Sequence, residues 1–186
     1  MNKRKLELVQ VLDDARIGRE ARAASDDHLA VRLWLRLLSC STQVEQEIRS
    51  RLRQQFATTL PRFDYLAQLE RHPEGLRMNA LTRYLMVTGG NVTGLTDQLV
   101  ADGWVERLPD PVDRRASIVK LTALGRQEFA TMAQAHEQWL SAMFDGLDSG
   151  FKESLYEMLG RLRVHLAQHE MDGQALPGAS PPKGKT

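Results

Sequence analysis

One cysteine in 186 residues, Cys40, excludes an internal disulfide and leaves no sign of a cross-linked secreted scaffold. An excess of charge of one sign is missing too. The 25 Lys and Arg stand against 24 Asp and Glu, a formal net charge of +1. A protein that holds nucleic acid by bulk charge is thereby excluded, and any such contact must come from where individual cations sit. No stretch approaches the roughly 18 uncharged apolar residues of a membrane-spanning helix. Met1 to Arg22 is charged throughout and lacks the apolar centre of a signal peptide. These absences lead us to expect a soluble cytoplasmic protein with no membrane partner.

What is present is apolar periodicity. With 42% hydrophobic residues the chain can bury a real core. From about His28 to Phe56, the residues Ala30, Leu33, Leu37, Cys40, Val44, Ile48 and Leu52 step by three or four, the mark of one long amphipathic helix. Such a helix is about 42 Å long, more than a small domain needs for its own core. Pro61 restarts a second helix carrying Phe63, Leu66, Ala67 and Leu69, which ends near His72-Pro73-Glu74-Gly75. A third runs from Met78 to Met86. A fourth follows Thr88-Gly89-Gly90, buries Val92, Leu95, Leu99 and Val100, and stops at Gly103.

The period then shortens. Trp104 to Leu108 and Ala116 to Leu121 are β-prone and flank the turn cluster Pro109-Asp110-Pro111-Val112-Asp113, so a hairpin is expected. Thr122 has the character of an N-cap for a long helix through Met143, and a last helix carries Phe151 to Leu166. The expected fold is mainly α with a small β-hairpin wing, a winged helix-turn-helix with long N- and C-terminal dimerisation helices. The expected divisions are an N-terminal extension over 1–27, a helical dimerisation region over 28–57 and 123–168, the winged helix-turn-helix over 58–122, and a disordered tail over 169–186.

Four stretches carry a resemblance. They are Leu76 to Leu81, Val87 to Leu95, Leu99 to Arg107, and Asp113-Arg114-Arg115 followed by Val119-Lys120-Leu121-Thr122-Ala123-Leu124-Gly125. Together, and in this order, they resemble the MarR (multiple antibiotic resistance regulator) family over residues 28 to 168. The resemblance implies a homodimeric transcription regulator, with Arg115 as the tip arginine of the wing and Asp113 as the carboxylate that orients it. It further suggests an effector that is an aromatic or phenolic acid or its thioester.

The residues support a DNA-contacting surface on their own chemistry. The second helix of a helix-turn-helix lies in the major groove, and its first turns reach base edges. Asn91, Thr93, Thr96 and Gln98 are hydrogen-bonding residues of the kind that read bases, while Gly89 and Gly90 allow close approach of the backbone; Thr88 and Gly94 are counted to the same DNA-contacting surface. Where relatives often carry arginine in this helix, the chain has Gly94 and Gln98, with no Lys or Arg between Thr88 and Asp102. Attraction to phosphate must then come from Arg83, Arg107, Arg114, Arg115 and Lys120, with Arg77 a further candidate. Pairing of two chains would present two such helices to successive major grooves of a pseudo-palindromic operator.

Other readings compete. Cys40 is a candidate redox sensor, although on an apolar stripe a cysteine behaves as a small hydrophobe. A partner-binding module without DNA contact is kept open by the neutral helix. His165 and His169 have the spacing of a metal pair but no third ligand nearby, so no metal and no cofactor are expected. Gly89, Gly90 and Gly94 lack the spacing of a nucleotide loop. No catalytic constellation stands out, so an enzyme is not expected. A pocket for an effector would fall among the first, second and fifth helices, with Trp34, Arg36, Phe63, Tyr65 and His136 as lining candidates.

The division of labour between helix and wing predicts that Arg115→Ala weakens binding to all duplexes alike, while Asn91→Ala mainly relaxes sequence preference. Fluorescence anisotropy against a panel of operator variants measures both, and the reverse pattern would show the two roles exchanged.

Overall fold

The computed structural model describes residues 29–85, 89–113 and 116–171. Within them the order is α1 (Leu29–Phe56), α2 (Leu60–Glu70), β1 (Leu76–Arg77), α3 (Met78–Leu85), α4 (Gly89–Ala101), β2 (Val105–Pro109), β3 (Ser117–Leu121), α5 (Ala123–Met143) and α6 (Ser149–Met171). The expected hairpin is present, and a strand the sequence did not announce joins it. β1 pairs antiparallel with β3, giving the sheet order β1-β3-β2, with Leu76 opposite Val119 and Val105 opposite Leu121. A two-residue strand carries too little alternation to be read from sequence. The chain divides into two compact units after Met143, so α6 stands in a unit of its own. It continues as helix to Met171, past the residue 169 at which a disordered tail was expected.

The core of the first unit gathers one face from every element. Ile48 and Leu52 come from α1, Phe63, Leu66 and Leu69 from α2, and Leu81 from α3. Val92 and Leu99 come from α4, Val119 and Leu121 from β3, and Met132 and Trp139 from α5. The apolar stripe of α1 is thus buried only in its last turns. Its first turns stay exposed, with Leu29 at 75%, Leu33 at 49% and Trp34 at 60%. Cys40, expected on a buried stripe, is exposed within this chain for the same reason.

The exit from α4 is set by hydrogen bonds. Gly103 takes a positive φ of 73°, its N–H donates to the Val100 carbonyl, and the Trp104 N–H donates to the Leu99 carbonyl. This closes the helix with the left-handed cap that glycine makes cheap. The chain passes straight into β2, and the Trp104 carbonyl then receives the Thr122 N–H at 3.0 Å. Thr122 caps α5 as its sequence suggests: its hydroxyl accepts from the Gly125 N–H at 2.9 Å and donates to the Gly103 carbonyl at 2.8 Å.

Gly125 is the closest approach in this corner. A Cβ there would lie 1.9 Å from the Trp104 oxygen, so no side chain fits without moving β2 or α5. Gly125→Ala should therefore cost about 3 kcal/mol in urea unfolding, the upper range for overpacking. A loss under about 0.5 kcal/mol would mean that the corner relaxes freely.

Candidate nucleic-acid interface

The helix-turn-helix is α3 and α4. Every third or fourth residue of α4 faces the core: Val92, Thr96 and Leu99 are fully buried. Around them Gly90, Asn91, Thr93, Gly94, Asp97 and Gln98 are exposed, and Leu95 is half-buried. This confirms an outward polar face but removes Thr96 from it. The Thr96 hydroxyl donates to the Val92 carbonyl at 2.7 Å and accepts from the Tyr65 hydroxyl at 2.6 Å. It satisfies α4 against α2 and cannot reach a base. Its position in the helical period (four residues after Val92 and three before Leu99) was the signal for burial.

The same contact corrects the place of Tyr65. Its ring is fully buried, and burial pushes its hydroxyl up to about 12, so it is a core residue rather than a wall open to a ligand. Phe63 and His136 are brought together across α2 and α5, with ring centres 4.9 Å apart. Phe129 and Trp139 extend the cluster at 5.4 Å and 6.4 Å. Burial pushes the His136 imidazole below its ordinary value. Trp34 and Arg36 sit on the exposed first turns of α1, and Trp34 has no ring contact with that cluster among the described residues.

The cations of the site are mostly held by carboxylates. Arg107 on β2 donates to Asp97 on α4 at 2.6 Å. Arg77 donates to Asp110 at 2.5 Å, and Arg62 pairs with Asp102 while its guanidinium lies 5.2 Å from the centre of the Trp104 ring. Arg107 and Arg77 are thus partnered inside the chain, while both side chains stay partly exposed. Arg83 is exposed in the last turn of α3, and Lys120 is half-buried on β3. Gly89 opens α4, whereas Thr88, Arg114 and Arg115 lie outside the described residues, and with Arg115 the orienting role of Asp113.

Sequence reasoning missed Asp110. It is buried at 3% exposure where β2 enters the wing turn. One carboxylate oxygen receives Arg77, and the other accepts from the N–H groups of Val112 and Asp113 at 2.8 and 3.0 Å. The signal was available: Asp followed by Pro is a common start for a turn in which the side chain binds the backbone two and three residues on. The wing is therefore tied to β1, immediately before α3, through Arg77.

A family model described as the MarR family matches residues 58–116. Over 121 residues the chain is 32% identical to the transcriptional activatory protein BadR of Rhodopseudomonas palustris, a match spanning 64% of this chain and 69% of that one. The chain belongs to the MarR family. Its members are transcription regulators rather than enzymes. A MarR family transcriptional regulator from Silicibacter pomeroyi superposes with a TM-score of 0.63 at 29% identity, covering 78% of this chain and 99% of that one. Sco3205 of Streptomyces coelicolor, solved in complex with DNA, shares the fold at a TM-score of 0.64 and 23% identity, over 76% and 91% of the two chains. No helix among the described residues is long and apolar enough to cross a membrane.

The Arg77 hydrogen bond, with the Asp113 and Val112 N–H groups, holds the Asp110 carboxyl down at about 2, against an ordinary 3.8. A folded value below the unfolded one contributes stability that is complete above about pH 4 and is lost as pH falls through about 2. Wild type should lose stability faster than Asp110→Asn between pH 5 and 2.5, read by thermal unfolding. Parallel curves would take Asp110 out of this role.

Proposed function

We propose that the chain binds a pseudo-palindromic DNA operator as a homodimer and acts as a repressor released by a small aromatic acid or its thioester. The observation that carries the DNA reading is α4 itself. Val92, Thr96 and Leu99 anchor it, and Asn91, Gly94 and Gln98 face outward next to a wing braced by Asp110. That is the arrangement of a helix presented to a major groove with a hairpin beside it. The fold shared with Sco3205 supports the same reading.

Dimerisation is supported by apolar surface left without cover in each unit. The first turns of α1 expose Leu29, Leu33 and Trp34, while α6 exposes Phe151, Tyr156, Met158, Val164 and Leu166. A second copy buries such surface symmetrically and sets two α4 helices at the spacing of successive grooves. The effector reading rests on the family resemblance; the Phe63, Phe129, His136 and Trp139 rings between α2 and α5 pack on one another, with Phe63 and Trp139 in the core, so a flat ring enters there only if they part. A ligand there shifts the balance between dimer geometries that can and cannot engage both half-sites. BadR is described as activatory, which favours activation as a second reading. A reporter on the regulated promoter, with and without the gene, separates the two.

Sedimentation should give a particle of twice the 21.0 kDa chain mass. Anisotropy with labelled duplexes from the DNA upstream of the gene should show binding that weakens steeply from 50 to 200 mM salt. No binding at low salt would sink the regulator reading.

A further inference from the structure

We infer that α4 is built to read A·T pairs, with Asn91 and Gln98 each taking an adenine and Gly90 and Gly94 opening the helix backbone to thymine methyl groups. This rests on the proposed DNA-binding function and names the base chemistry of that surface. Asn91, Gly94 and Gln98 are three and then four residues apart, so they lie along one line of the exposed face. Asn91 and Gln98 are about 10 Å apart along the axis, roughly three base-pair steps. A carboxamide matches the N6 donor and N7 acceptor of adenine bidentately.

The two glycines lack an internal reason. Glycine weakens a helix relative to alanine, and a helical glycine can answer to its surroundings, as Gly125 does to the Trp104 carbonyl, although Gly160 in α6 likewise has open space. At Gly90 and Gly94 an added Cβ would meet nothing within 4 Å. What a bare stretch of helix does provide is close approach for a surface from outside, here the base edges between the two amides.

Guanine is disfavoured by the same face. It presents two acceptors in the major groove and is read by Lys or Arg. Residues 89–101 contain neither. Among the described residues, Arg107 reaches this face and donates to Asp97 at 2.6 Å, and Asp97 is exposed one turn after Gly94. A carboxylate beside guanine O6 and N7 sets acceptor against acceptor.

Selection from a pool of randomised 24-bp duplexes, followed by anisotropy on the selected duplex and its single-pair variants, tests this. Each half-site should carry adenines at two positions about three pairs apart. Asn91→Ala should lose discrimination at one position and Gln98→Ala at the other, each by about tenfold or more. Gly94→Ala should raise Tm by about 2–4 °C while weakening binding about tenfold, opposite movements that a purely structural glycine would not produce. Tight binding with guanine at the two positions, or unchanged affinity in Gly94→Ala, overturns the A·T reading and leaves DNA binding standing. No enrichment of any duplex at low salt overturns the DNA-binding function and this inference together.

Discussion

The Trp104 carbonyl, at the exit from α4, is where the elements of the first unit meet. It accepts from Thr122, lies against Gly125, and follows a cap that closes the recognition helix on Leu99 and Val100. Three elements with different tasks, α4, the wing strands and α5, are thereby joined within a few residues. Because Gly125 presses on that oxygen without a side chain between, a tilt of α5 is felt at the end of α4 rather than absorbed by a soft contact.

Around this joint the charges are arranged in local pairs. Arg62 meets Asp102, Arg77 meets Asp110, and Arg107 meets Asp97. The Arg107–Asp97 pair is exposed on both sides and contributes little stability, about 0–1 kcal/mol, so its effect is on position, whereas Asp110 is buried and its pairing carries stability as well. Arg77 fixes the wing to the strand before α3, and Arg107 links the wing strand to α4. In these pairs cations are used to build the winged domain.

The two ends of α1 show how one helix answers to two environments. Ile48 and Leu52 pack on the core of their own chain, whereas Leu29, Leu33 and Trp34 are apolar and exposed. The same amphipathic period runs through both ends, and only the presence of α2 and α5 beside the last turns distinguishes them.

Element order and type were legible because periodicity of 3.6 and 2 residues survives in α1, α2, α4, α5 and the two longer strands, and because Pro61, Gly103 and Thr122 carry local backbone preferences that need no partner. The outward placement of Asn91, Gly94 and Gln98 followed from the same period. What the sequence alone could not decide were facts of pairing between distant residues. Tyr65 and Thr96 are 31 positions apart, and Arg77 and Asp110 are 33 apart. The helical period marks Thr96 as inward but does not name the tyrosine that meets its hydroxyl, and an arginine looks the same whether it faces phosphate or an aspartate. Local chemistry determined which surfaces this protein could have; only the tertiary contacts decided which polar groups were left over to occupy them.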